Sequence, residues 1–422
     1  MSRCVDSMPA VTRRSVFSGS GVFAGHIITV ILAGTVLAAC EDTRFADAGG
    51  GADAADAAPH AADDIVVPAD AVHVLGTSES LALVLDMVRL DDGTIWLLNQ
   101  TEPYFFAFDA QGEIRRSWGR RGGGPAEFRS PAALVVGPAG DVWVHDRAPH
   151  ALIRVSGEES EPKRIVLPRD SLPPNRVVVL ENLGIPEGRT WLSATADAFL
   201  AARSKPSSGE GQPLYDAEIL SIRDDGTLHV LIALGDHMEG PPPEFASATL
   251  FLPNPLWAIC PDGSMVLYDP RQNAIRQLSL GGTETAAAVA LPAERRLEIT
   301  PDRVFGLVYR LMVENVPADE RPDSALLYAG FEGQFSEVSA DISPVFPEYA
   351  DLQCTAGTIW IQPFDMRGSI GRGPVWLRIT PDEIRRVRLP DSFKPFRFTG
   401  DRVYGVILDE LDVQSIAWID IG

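Results

Sequence analysis

The sequence contains few cysteines and no local catalytic signature. Only four of its 422 residues are cysteine, and no two of them have C-x-x-C spacing. Neither a G-x-S-x-G nucleophile turn nor an H-E-x-x-H metal motif occurs. These absences exclude the enzymes and metal sites that a short motif reveals. The sequence therefore predicts no particular catalytic or metal-binding residue.

Positive charge is also scarce. Lys and Arg number 36 against 58 Asp and Glu, so the formal net charge is −22 at pH 7. A surface this acidic repels nucleic acid and anionic lipid headgroups. We therefore expect no nucleic-acid partner.

The N-terminus has the layout of a secretory signal. Arg13 and Arg14 precede a glycine-broken apolar run, Gly21 to Ala39, which ends "LAAC" at Cys40. Residues 1–39 are similar to a lipoprotein signal, which implies cleavage before Cys40, lipid attachment to that cysteine and export to a bacterial membrane, facing the cell envelope. An uncleaved helix is the alternative, although the run is barely long enough to span a bilayer. The stretch "TRRSVF" at residues 12–17 resembles a twin-arginine export signal, so export by the Sec pathway and export by the twin-arginine pathway both remain open.

Residues 40–64 form a low-complexity Ala/Asp/Gly tract, which predicts a disordered, acidic tether. Loss of residues 1–39 removes three positive charges and one negative charge, which takes the formal charge from −22 to −24. Only Cys260 and Cys354 then remain in the folded domain, which we place at residues 65–422. One disulfide and two buried free thiols are both compatible with these two cysteines.

The domain consists of similar hairpins. Four of them share a turn glycine followed by a strand: Asp91 to Asn99, Pro138 to Asp146, Pro261 to Asp269 and Thr355 to Pro363. Trp96 and Trp143 lie 47 positions apart, close to the length of a four-stranded propeller blade. This pattern of short strands and Asp/Gly turns indicates an all-β fold built from repeated blades.

Alignment of the turns predicts a six-bladed β-propeller. Its inner strands fall near these residues: Leu83, Ala133, Trp191, Leu256, Asp351 and Phe396. The last unit has only three strands, and Ala71 to Gly76 is a spare strand before the first. We expect this N-terminal strand to close the last blade, because closure removes two exposed edges.

One segment resembles a known repeat. Gly122 to Val155 resembles an NHL repeat, with Pro149 and His150 where Asn-His is usual. The resemblance is partial at Gly240 to Phe245 and elsewhere concerns only the architecture. The chain is similar to the six-bladed propeller lipoproteins of bacteria, a resemblance that implies a fold and not an activity.

The connections on one face of the predicted ring are long, and binding sites usually occupy such loops. They are Gly119 to Ser130, Pro168 to Arg189, Gly235 to Pro255, Pro292 to Tyr349 and Pro363 to Pro374. The longest, at about 292–349 between blades four and five, contains a predicted helix from Thr300 to Val316. Its apolar stripe is Val304, Leu307, Val308, Leu311 and Met312. We expect the helix to pack on the propeller, and a moving lid is the alternative.

The stretch "GRRGGGPAEF", Gly119 to Phe128, joins blades one and two. A phosphate loop would need a following helix and a Lys-Ser/Thr pair, so a hinge is the preferred interpretation. Arg120, Arg121 and Glu127 are ligand-binding candidates here. The nearby arginines are Arg115, Arg116 and Arg129. We expect Arg115 and Arg116, on an outer strand, to discourage edge pairing.

His145, Asp146 and His150 are a possible metal set. Because His145 and Asp146 point to opposite faces of one strand, we expect them to support the loop, and we keep His145 and His150 as ligand-binding candidates.

The resulting hypothesis is a monomeric, lipid-anchored, non-catalytic module that requires no cofactor and binds a protein, a glycan or a small anionic ligand. The alternative is a calcium-dependent hydrolase or lactonase of propeller fold, which would assemble its site from single Asp, Asn and Glu residues.

Overall fold

The computed structural model describes residues 64–421, with gaps at 125–126, 149, 157–162, 168–191, 196, 205–216, 224, 238–255, 295, 314–320, 340–343, 370–373, 401 and 409–412. The predicted signal, Cys40 and the tether lie outside the described residues. So do Pro149, Trp191, the partial repeat at 240–245 and much of the long loops.

The described strands form a six-bladed β-propeller, as predicted. Two strands precede the first blade, β1 (Ile65–Val66) and β2 (Val72–Thr77). Blade one contains β3 (Val84–Arg89), β4 (Ile95–Asn99), β5 (Phe105–Phe108) and β6 (Ile114–Trp118), followed by the short strands β7 (Arg120–Arg121) and β8 (Glu127–Phe128). Blade two contains β9 (Pro131–Val136), β10 (Val142–Asp146), β11 (Ala151–Arg154) and β12 (Arg164–Val166). Blade three contains β13 (Leu192–Ala194), β14 (Phe199–Ser204), β15 (Ala217–Ile222) and β16 (Leu228–Ala233).

The second half of the ring repeats this order. Blade four contains β17 (Leu256–Ile259), β18 (Met265–Asp269), β19 (Ala274–Leu278) and β20 (Val289–Ala290). Two helices follow, α1 (Pro301–Val313) and α2 (Ser324–Val338). Blade five contains β21 (Tyr349–Thr355), β22 (Thr358–Ser369), β23 (Val375–Ile379) and β24 (Ile384–Arg388), and blade six contains β25 (Phe393–Thr399), β26 (Arg402–Leu408) and β27 (Gln414–Asp420).

The N-terminal strand closes the ring. Strand β2 pairs antiparallel with β27, with Val72 opposite Ile419 and Thr77 opposite Ser415, and becomes the fourth strand of blade six. This closure was predicted. The parallel pairing of β1 with β24 was not predicted, because two residues are too few to show a strand pattern.

The core lies between neighbouring blades. Trp96 of β4 packs in the layer between blades one and two, and Trp143 of β10 packs in the layer between blades two and three. The ring of Trp143 meets that of Phe199 edge to face, with centroids 5.1 Å apart. The two tryptophans therefore repeat in sequence because each fills the same position in successive layers.

Polar side chains connect the inner strands. Gln353 of β21 donates to a carbonyl of β25 at 3.2 Å, and Nε of Arg397 donates to the carbonyl of Met87 at 2.7 Å. The buried Asp86 accepts the N–H of Leu134 at 2.8 Å. These bonds join blade five to six, six to one and one to two.

Blades four and five are joined covalently. Cys260, directly after β17, forms a disulfide with Cys354 of β21, across a sequence separation of 94. The chain segment between the two cysteines contains the whole insertion at about 292–349. Of the two alternatives that the sequence left open, one disulfide or two buried free thiols, the structure shows the disulfide.

The insertion contains two helices. Thr300 caps α1, because its hydroxyl accepts the N–H of Arg303 at 3.3 Å, and Val304 of the predicted stripe is buried. The other side chains of that stripe lie outside the described set. The second helix, α2, was not predicted because its apolar residues form no single stripe: Leu327 is buried whereas its neighbour Leu326 is exposed.

Candidate functional site

The two faces of the ring differ as expected. Connections such as 90–94 and 137–141, between first and second strands, are tight turns closed by short backbone hydrogen bonds. We call that side the tight-turn face, and the opposite side, which carries the long connections, the loop-rich face. The candidate residues of blades one and two all belong to the loop-rich face.

Two side chains hold the loops of this face in place. Asn99, at the end of β4, accepts the backbone N–H groups of residues 82–83 at 3.1 and 3.3 Å. Asp146, at the matching end of β10, accepts the N–H groups of residues 129–130 at 3.0 and 2.7 Å. In blades one and two the second strand therefore ends in a polar residue that binds the chain entering the inner strand.

The glycine-rich stretch does bind an anion, but that anion belongs to the protein. Oε2 of Glu127 accepts the N–H groups of Gly123 and Gly124 at 2.9 and 2.8 Å, and Oε1 accepts from Nε and Nη2 of Arg120 at 3.0 and 2.8 Å. A Cβ at Gly122 would lie 2.1 Å from Oε2. The N–H groups of Gly124 and Gly123, with Arg120, lower the pKa of Glu127. The stretch is thus a turn between blades, shaped around Glu127.

Two arginines beside this turn remain exposed. The side chains of Arg121 and Arg129 make no hydrogen bond or ion pair with any described residue, although their backbones are held. The N–H of Arg121 donates to Oε1 of Glu102 at 2.8 Å. Burial, followed by the negative charge of Glu102, raises the pKa of Tyr104, and the positive charge of Arg121 partly offsets this rise.

The histidine pair lies inside the structure. His145 and His150 are buried, with Nε2 of the first 3.3 Å from Nδ1 of the second. His150 adopts a left-handed backbone conformation with φ of 47°. Among the described residues, no group of three or more His, Cys, Asp or Glu is arranged to hold a metal ion.

The outer-strand arginines are engaged elsewhere. Nε of Arg115 lies 2.8 Å from Oδ2 of Asp109, and the Arg116 guanidinium lies 4.7 Å from the ring centre of Trp118. Neither side chain reaches the glycine turn through a contact described in the structure.

A second polar cluster connects blades four and five, and the sequence did not reveal it. Glu294 pairs with Arg386 of β24, while Glu348 pairs with Arg296. The hydroxyl of Tyr349 donates to the carbonyl of Pro292 at 2.9 Å. Burial raises the pKa of Glu294, and burial followed by the two glutamates raises that of Tyr349.

The members of this cluster come from distant parts of the chain, so no local signal could have identified them. They attach both ends of the helical insertion to the ring. The residues between them reinforce this attachment, since the N–H of Phe346 donates to the carbonyl of Leu297 at 2.9 Å.

Comparison with known proteins identifies no family for this chain. No family model matches the chain, and no curated protein matches its sequence. Among solved structures, it is similar to a virginiamycin B lyase from Staphylococcus aureus with quinupristin (13% identity, 82% of this chain and 98% of the lyase covered, TM-score 0.41). It is also similar to a Bacteroides fragilis protein described as exported (11%, 85% and 98%, TM-score 0.43) and to YCF48 bound to a D1 peptide (10%, 85% and 98%, TM-score 0.38).

The strand order thus defines the class of protein, a six-bladed β-propeller with one helical insertion. The structural neighbours include both an enzyme and a peptide-bound protein, and at these identities and TM-scores nothing about this chain follows from them. None of the helices in the described part of the chain has the length and apolar character needed to span a bilayer.

Proposed function

We propose that this protein is an exported, lipid-anchored binding module that contacts a partner through its loop-rich face without catalysis. In this proposal Cys40 carries the lipid, residues 41–64 are the tether, and residues 65–422 are the propeller, with an NHL-like second blade. The two arginines, the apolar run and Cys40 at its end support the lipid anchor. The Cys260–Cys354 disulfide supports an oxidising compartment.

One observation carries the proposal. The acids and histidines described on the loop-rich face of blades one and two bind N–H groups or one another, so they position loops. Exposed arginines project from those loops. A rigid loop framework with exposed cationic side chains suits recognition of a partner.

Two exposed glutamines of blade one allow a matched test. Gln100 lies on the loop-rich face, between β4 and β5, and Gln111 lies on the tight-turn face, between β5 and β6. A photo-crosslinking residue at position 100 should form defined adducts in intact cells, whereas the same residue at position 111 should not. Equal adduct patterns from both positions would contradict the proposal.

The rival function, a calcium-dependent hydrolase or lactonase, is tested on the same preparation. Stoichiometric calcium in the purified protein, together with a melting temperature lowered by chelator and restored by calcium, would favour the enzyme.

A further inference from the structure

We propose that Glu294 is a proton-binding group and that acidification tightens the attachment of the helical insertion to blade five. The insertion belongs to the loop-rich face, so part of that face becomes sensitive to pH. The inference concerns regulation of this face and holds whatever partner the face binds.

The insertion is attached to the ring through two antiparallel segments, 297–299 and 344–346, which we call the stalk. Backbone hydrogen bonds of 2.9 Å join them, from the N–H of Ile299 to the carbonyl of Pro344 and from the N–H of Phe346 to the carbonyl of Leu297. Helices α1 and α2 lie between the two segments in the chain. Opening of the stalk would therefore detach the base of the insertion.

Two ion pairs lie at the base of the stalk. Glu294, just before the first segment, pairs with Arg386 of β24 in blade five. Glu348, just after the second segment, pairs with Arg296. The charges of these four side chains therefore help to decide how firmly the insertion is held.

A third carboxylate adds negative charge here. Strand β1 pairs Ile65 with Val387, which places Asp64 beside Arg386, and the charge of Asp64 acts on Glu294. Among the described side chains, three carboxylates thus face two guanidinium groups. With all five ionised, the cluster carries one excess negative charge, which the uptake of one proton neutralises.

Glu294 is the carboxylate best placed to take up this proton. Its side chain is only 13% exposed. Glu348 also accepts the hydroxyl of Tyr268 at 3.4 Å, which stabilises the ionised form of Glu348. Burial raises the pKa of Glu294, although Arg386 partly opposes this rise. The charges of Glu348 and Asp64 raise it further.

The direction of the pH effect follows from thermodynamic linkage. When the stalk opens, Glu294 becomes hydrated and its pKa returns to the ordinary value for a glutamate. The attached insertion therefore binds the proton more tightly than the detached insertion, so a lower pH favours attachment. This stabilisation is fully present below about pH 4.5 and is lost as the pH rises through the higher pKa of the attached form.

Hydrogen–deuterium exchange of the full-length protein tests the inference, with protection factors that correct for the pH dependence of chemical exchange. Protection of the stalk amides should be at least about threefold higher at about pH 5 than at about pH 8. Strand β4, which has no ionisable side chain, should show no such change.

Glu294→Gln is neutral at both pH values, so it should abolish the pH response and keep the stalk protected at the higher pH. The matched control is Glu298→Gln, which removes the same charge from an exposed side chain of the stalk itself. This control should leave the response unchanged.

Three results would overturn the inference: stalk protection that is unchanged or lower at the lower pH, a pH response that survives in Glu294→Gln, or an equal loss of the response in Glu298→Gln. Should Glu294→Gln fold poorly, Asp64→Asn provides a second arm. It removes one charge that repels ionised Glu294, so the response should move to lower pH, and an unchanged midpoint would also overturn the inference.

Discussion

Gly112 offers a direct test of ring closure. This glycine lies in the turn between β5 and β6 of blade one, with φ of 86°. A Cβ there would lie 1.8 Å from the carbonyl oxygen of Leu75 in the closing strand β2. A Cβ at Gly76 would in turn lie 2.3 Å from the carbonyl oxygen of Gly112. Blades six and one therefore meet backbone to backbone, and a side chain at Gly112 would force strand and turn apart.

The cost of Gly112→Ala has two parts. The left-handed conformation costs an alanine about 1–2 kcal/mol, and overpacking against a backbone atom that cannot rotate away costs about 1–3 kcal/mol more. Gly140→Ala is the matched control, because Gly140 has φ of 77° in a turn of blade two and its Cβ would meet nothing within 4 Å. We expect a loss of about 2–5 kcal/mol for the first variant and about 1–2 kcal/mol for the control.

Thermal unfolding, followed by calorimetry at one scan rate, measures the difference. With an unfolding entropy of about 2.1 cal/mol/K per residue over roughly 360 residues, 1 kcal/mol corresponds to about 1.3 °C. Gly112→Ala should therefore lower the melting temperature by about 3–7 °C and Gly140→Ala by about 1–3 °C. Equal shifts for the two variants would refute the close contact between β2 and blade one.

Three further predictions concern other contacts. Asp146→Ala should destabilise the protein by about 1–3 kcal/mol for each N–H left without an acceptor, whereas Asp146→Asn keeps one oxygen and should cost less, as denaturant titration would show. Backbone N–H groups lower the pKa of Glu127 in the folded protein, so the carboxylate stabilises the fold above about pH 4.5 and this stabilisation is lost as the pH falls through the pKa of the folded state. The difference in unfolding free energy between wild type and Glu127→Gln should therefore close below that pH, and a difference that stays constant with pH would contradict this prediction. Reduction of the Cys260–Cys354 disulfide, separated by 94 positions, should cost about 4–5 kcal/mol, and a Cys260→Ser/Cys354→Ser variant should melt at the same temperature with and without reductant.

Much of the fold could be predicted because the repeat is local. A turn glycine followed by a strand recurs in blades one, two, four and five, and the buried Trp96 and Trp143 occupy matching positions of blades one and two, so the hairpins and the blade count follow from neighbouring residues. The closing strand β2 was predicted from an imbalance, since the last unit lacked one strand. The two-residue strand β1 and the helix α2 carry no such periodic signal.

The candidate site was predicted less fully. The candidate residues could be identified from the sequence. That the carboxylate of Glu127 accepts the N–H groups of Gly123 and Gly124 could not, because it depends on the conformation of that side chain in the folded turn. The cluster of Glu294, Arg386 and Glu348 depends on contacts across more than 50 positions. Periodicity contains no information about such contacts.

The blade repeat, the acidic composition and the long loops on one face follow from local pattern or composition, so they can be predicted without a structure. Which charged side chains pair within the protein depends on the fold of the whole ring. Arg120 and Arg121 are neighbours of the same type and both are exposed, yet Arg120 forms an ion pair with Glu127 whereas the Arg121 side chain forms none with a described residue. This difference arises because ion pairs form only between the donors and acceptors that the folded ring brings within hydrogen-bonding distance.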